Sequence, residues 1–152
     1  MAYTSSQIVQ AVPIPSGVVQ VVSATSATAT TTTSTSYVTS GLSASITPSK
    51  TSSKVMILVS GAFYNNSATA EIYATVFRGT VAGTNLATTA TIGFASVFPA
   101  IIGNGSFVFL DSPSTTSAQT YTVGIRSAGG SATAAWAQQG STTVITLMEV
   151  LA

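Results

Sequence analysis

The chain has 152 residues, 45% of them apolar and only 5% charged, with a formal net charge of +1. It contains no histidine and no cysteine, which excludes Ser–His–Asp and Cys–His catalysis, histidine or thiolate zinc sites, disulfide frameworks and thiol redox chemistry. Its four cations, Lys50, Lys54, Arg78 and Arg126, are too few and too scattered for the basic face that binds nucleic acid or an anionic membrane.

This is a single-domain length, long enough to bury roughly 70% of the surface that its unfolded form exposes. A mean hydropathy of +0.51 excludes disorder of the whole chain. Serine and threonine fill 49 of the 152 positions, so hydroxyl groups or other subunits must cover the surface. No run of 18 apolar residues is present, and the start Met1-Ala2-Tyr3-Thr4-Ser5-Ser6-Gln7 is not a secretory signal. The absence of cysteine fits synthesis in a reducing cytoplasm.

Residues 1–23 read as an N-terminal β arm. Two β-branched runs, one containing Ile8, Val9 and Val12 and the other Val18, Val19 and Val21, flank Pro13-Ile14-Pro15, which keeps their junction extended. Strands this short are marginal alone. They add either to a sheet on a neighbouring subunit, as an attachment arm, or to the same domain as a hairpin. Residues 24–36 are low-complexity Ala/Ser/Thr with Thr30, Thr31, Thr32 and Thr33 in a row. That composition suits a spacer or a strand edge, and we expect a linker.

Residues 37–152 form the body. Leu42, Ala44 and Ile46 alternate with serines, and Pro48-Ser49-Lys50 turns the chain. Residues 54–64 are almost continuously apolar, the pattern of a strand buried on both faces. Alternation over residues 68–78, 91–98, 106–110, 119–127, 133–137 and 143–151, with Gly-, Asn- and Pro-containing turns between, gives about eight strands. In the last of them Val144, Thr146, Met148 and Val150 face away from Ile145, Leu147 and Leu151. We take Ile145, Leu147, Met148 and Val150 as a candidate oligomer-core strand. The fold expected is a compact all-β antiparallel sandwich.

Glu71, Asp111 and Glu149 are the complete set of carboxylates. A glycosidase would need two of them facing each other across a cleft. Glu71 with Glu149 is the pair that could do so, but a strand-edge charge or an intersubunit pair with Arg78 or Arg126 is the expected role. Asp111, ahead of Ser112-Pro113-Ser114, reads as an Asx-turn residue. No Gly-Lys-Ser/Thr loop is present, and Gly129-Gly130 reads as a turn. Trp136, flanked by small residues, is the candidate exposed residue for stacking a glycan. No enzymatic activity, cofactor or metal is expected.

Residues 35–59 (TSYVTSGLSASITPSKTSSKVMILV), 110–123 (LDSPSTTSAQTYTV) and 145–150 (ITLMEV) resemble a module of structural proteins in tailed bacteriophages, notably those of cyanobacteria. There it occurs in tail-fibre ends and small virion proteins. The resemblance runs in order over residues 35–151 and implies a jelly-roll-like β-sandwich, a trimer similar in outline to tumour-necrosis-factor and complement C1q heads. Residues 1–23 fall outside it, a short arm where a tail fibre carries a long shaft. The resemblance therefore favours a small stand-alone virion protein, and we expect a capsid decoration (cement) protein, assembled in the host cytoplasm, whose partners are its own copies and the major capsid protein or other virion proteins. A receptor-binding tail tip that meets a host glycan is the alternative.

Overall fold

Nearly every segment with period-two alternation becomes a strand. In a computed structural model, which describes residues 17–66, 71–87, 101–130 and 133–151, no α-helix occurs among the described residues. The strands are β1 (Gly17–Ser26), β2 (Thr30–Thr32), β3 (Val38–Ile46), β4 (Lys54–Asn65) and β5 (Ile72–Arg78). They continue with β6 (Thr84–Asn85), β7 (Ile101–Asp111), β8 (Gln119–Ser127), β9 (Ala134–Trp136) and β10 (Thr143–Leu151). The strand expected over residues 91–98 lies outside the described residues.

All the pairings are antiparallel. β1 and β2 run in line along β10 and β9, with Ser26 opposite Thr143 and Thr30 opposite Trp136. β10 and β9 in turn lie along one edge of β4, and β7 lies along the other. The second sheet has the order β3-β8-β5-β6. If each broken strand is taken as one track, the first track pairs with the last, β3 with β8, β4 with β7, and β5 with β6. That is one long antiparallel hairpin rolled up into two sheets, the jelly-roll sandwich.

The first sheet turns Val55, Ile57, Val59, Phe107, Ile145 and Leu147 inward against Leu42, Ile46, Ile72, Val76, Tyr121, Val123 and Ile125 of the second, all of them buried. Ile145 and Leu147, expected at an oligomer core, therefore belong to the protein's own core. Met148 and Val150 point out of the sandwich. Trp136 is also interior, at 0% exposure, its ring edge-on to Phe63 with centroids 4.6 Å apart. Gly61 makes room for it, because a Cβ there would lie 2.7 Å from the indole. Trp136 is thus not an exposed stacking residue. Flanking small residues, which suggested an open platform, instead let the large ring pack.

The N-terminal boundaries also change. Val18, Val19 and Val21 lie in β1, hydrogen-bonded along β10 with a bulge between Val18 and Gln20, so a boundary at residue 23 falls inside a strand. The expected linker is strand over 24–26 and 30–32 as well, with Thr31 paired to Ala135 and the Thr30 hydroxyl donating to the Ser40 carbonyl at 2.9 Å. β-Branched threonines favour extended backbone, and the free edges of β9 and β10 supply its partners. Ile8, Val9 and Val12 lie outside the described residues.

Candidate functional site

At one end of the sandwich an inward-facing row crosses the first sheet, Glu149 opposite Val55 and Val55 opposite Asp111. Glu149 is 1% exposed. Its Oε1 accepts from the Ser49 amide at 2.7 Å, the Ser49 hydroxyl at 2.6 Å and the Ser53 hydroxyl at 2.7 Å. Burial pushes its pKa up, but these bonds and the Lys50 amide more than offset that and hold it below the ordinary 4.5. Glu149 therefore anchors the loop between β3 and β4. A carboxylate with a depressed folded pKa contributes stability above its unfolded pKa and loses it as pH falls through the folded value. Stability should be nearly flat from about pH 6 to 8, since the chain has no histidine. Below pH 4.5 the melting temperature should fall more steeply in the wild type than in Glu149→Gln, which thermal melts from pH 7 to pH 3 will show.

Asp111 is 6% exposed and does not cap its own turn. Arg78 Nε donates to its Oδ2 at 2.8 Å, Arg78 Nη2 to its Oδ1, and the Tyr121 hydroxyl to Oδ2 at 2.8 Å. Asp111 ends β7 in one sheet, whereas Arg78 and Tyr121 lie in the other, so the cluster clamps the two sheets together. Burial and the bond to Asp111 push the Tyr121 phenol far up from its ordinary pKa.

Glu71 accepts from the Tyr73 hydroxyl, which raises the Tyr73 pKa. Arg126 stacks over the Tyr73 ring at 4.3 Å and faces Tyr37 at 5.3 Å. Glu71 precedes Ile72, which pairs with Ser127, whereas Gln119 at the other end of β8 pairs with Ile46, next to the loop that Glu149 anchors. Glu71 and Glu149 thus lie at opposite ends of the sandwich, roughly 25 Å apart along a strand of eight steps, and form no acid–base pair. Asp111 and Glu149 share one end, but each is already engaged by protein donors. No group of three or more metal-ligating side chains occurs among the described residues.

The feature left over is the outer face of the first sheet. The register aligns Val21, Met148, Met56 and Leu110 in one row, and Ser23, Thr146, Leu58 and Val108 in the next. Val18, Val150 and Lys54 form the row at the rim. Val18, Val21, Val108 and Leu110 are 54–57% exposed. The opposite sheet is different: its outer face carries exposed Thr39, Ser43, Ser45 and Thr120, the last two hydrogen-bonded at 2.7 Å, while Phe77 is 5% exposed and in edge contact with Tyr37. The apolar face does have a sequence signal: residues 55–59 are apolar at successive positions, so both faces of β4 are apolar. We expected burial on both faces, yet Met56 and Leu58 are only half-buried within this chain.

The class these features define is a jelly-roll sandwich with one hydroxylated and one apolar outer face. No protein-family model matches the chain, and no curated protein matches it. Among solved structures the fold is similar to a chain of the T13 particle of infectious bursal disease virus, with a TM-score of 0.50 and 12% identity over 86% of this chain and 37% of that one. The VP2 subviral particle of the same virus gives a TM-score of 0.47 at 15% identity, covering 86% and 39%. At these identities the likeness is one of fold, and this chain spans well under half the length of either viral chain.

Proposed function

We propose that the protein is a structural component of a virion, a capsid decoration protein of a tailed bacteriophage that acts as a homotrimer and seats on the major capsid protein. The observation that carries this reading is the rolled hairpin of strands with its exposed apolar face, a fold shared with a virus-particle chain. The sequence resemblance to phage virion modules supports it, as does the engagement of each carboxylate by donors of the protein itself. A shell under internal pressure gains from added subunits that bind assembled capsid and not free subunit. A surface poor in charge suits attachment through backbone hydrogen bonds.

Locating the protein in intact particles by electron microscopy tests this. Hundreds of copies on the shell are expected. A few dozen at the tail would assign it to a receptor-binding tip instead, and absence from particles would end the virion reading.

Within this proposal the attachment arm is the segment holding Ile8, Val9 and Val12, ahead of Pro13 and Pro15. β1, which follows this segment in the chain, is an edge strand of the first sheet. A chain lacking residues 1–16 should fold with an unchanged melting temperature and lose particle binding by at least tenfold. Undiminished binding in a sedimentation assay would place attachment on the body.

A further inference from the structure

We infer that the outer face of the β1-β10-β4-β7 layer is where copies of this chain meet, sheet face against sheet face. The inference concerns a two-fold contact between copies, distinct from the three-fold contacts of the proposed homotrimer, and does not rest on a location in a virion. Five apolar side chains on β1 and β7 (Val18, Val19, Val21, Val108 and Leu110) are more than half exposed. The register joins Val21, Val108 and Leu110 through Met148, Met56 and Leu58, with Val18 and Val150 in the row at the rim and Val19 at the bulge beside it. A patch of this kind, on the order of 500 Å², is at the upper end of what a monomer leaves bare. It approaches the ~800 Å² that each partner contributes to a specific interface.

Width identifies the occupant. From Val21 on β1 to Leu110 on β7 the row crosses three inter-strand steps, roughly 14 Å at ~4.8 Å each. A single strand built from residues 7–12 would cover about one step. Another sheet covers the whole row, packing at ~10 Å. The composition of the face points to the same face of a second copy. It carries no carboxylate, and Lys54 is the single charge in its described rows. A surface without a charge pattern is complementary to itself, as the isologous contact of a two-fold pair requires. Lys54 sits at the rim, where its stem can lie on apolar surface with the ammonium in water.

The wild type should sediment as a closed oligomer at micromolar concentration. The double variant Met56→Lys/Leu110→Lys, with both changes in one outward row, should raise the dissociation constant at least a hundredfold, whereas Ser45→Lys on the hydroxylated face should leave it unchanged. Because the chain has no cysteine, a second readout does not depend on the charged variant folding. The thiol introduced by Leu110→Cys should react with a maleimide at least tenfold more slowly than the one introduced by Ser45→Cys, and the difference should vanish on dilution to monomer. A wild type that is monomeric at high concentration overturns the inference. So does an oligomer whose Leu110→Cys thiol reacts as fast as the control. Association lost on deleting residues 1–16, but kept in Met56→Lys/Leu110→Lys, overturns it in favour of the N-terminal segment. None of these outcomes bears on where the protein sits in a particle, so microscopy can fail while this holds, and the reverse.

Discussion

Trp136→Ala should destabilise the protein by about 3–5 kcal/mol, the range for removing a large aromatic side chain from a close-packed core. The indole is completely buried, edge-on to Phe63, and lies over Gly61, where the backbone has no side chain to fill the space it would leave. Collapse into that cavity is hindered because Phe63 and Ala62 belong to the long strand β4, which is paired on both edges at this point. Among the described residues Trp136 Nε1 has no hydrogen-bond partner, so the loss is one of apolar packing, and Trp136→Phe should cost less than half as much. Urea denaturation followed by circular dichroism measures both. A cost below 1 kcal/mol for Trp136→Ala would mean that the side chain is on the surface. As this is the sole tryptophan, the folded protein should also show blue-shifted emission that moves red on unfolding.

The Arg78–Asp111–Tyr121 clamp should produce the next largest effect. Breaking a buried ion pair from one side costs more than the pair contributes, because the remaining charge is left without a partner. Arg78 keeps 30% of its side-chain surface in water, which screens part of that cost, but Tyr121 is fully buried and its hydroxyl would lose its acceptor. The two effects together put Asp111→Ala at about 3 kcal/mol. The same change in a Tyr121→Phe background should cost at least 1 kcal/mol less, since no buried hydroxyl is then orphaned. Equal costs in the two backgrounds, measured by denaturant midpoints, would show that Tyr121 and Asp111 are not coupled. The clamp joins the end of β5 to the end of β7, so its loss should also speed hydrogen exchange at that end of the sandwich first.

Much of the fold was legible in the sequence, but the candidate site was only partly so. The alternation Leu42, Ala44, Ile46 and the turn at Pro48 mark β3 and its end, as Tyr121, Val123 and Ile125 mark β8. These are local signals, fixed by side chains pointing to opposite faces at successive residues. On β4 and β10 the local signal is ambiguous, because both faces are apolar. Periodicity then separates Ile145 and Leu147 from Met148 and Val150 but does not say which pair turns inward. Asp111 is misleading for a related reason: an aspartate before Ser-Pro-Ser is a sound turn residue, and nothing near it in the chain signals Arg78. The row Val21–Met148–Met56–Leu110 draws on four strands, so no segment of sequence displays it.

By itself the sequence determined the all-β class, most of the strand positions and the exclusion of histidine and cysteine chemistry. These depend on composition and on alternation between neighbouring residues, which no later packing can change. Tertiary structure alone decided that residues 17–26 belong to the body, that Trp136 is core, and that Asp111 and Glu149 close one end of the sandwich. It also decided which apolar face stays outside. Each of these depends on pairing between residues far apart in the chain, such as Ser23 with Thr146, 123 positions away. Pairing of that kind is chosen by the fit of whole sheets to one another, a property that no local stretch of residues carries.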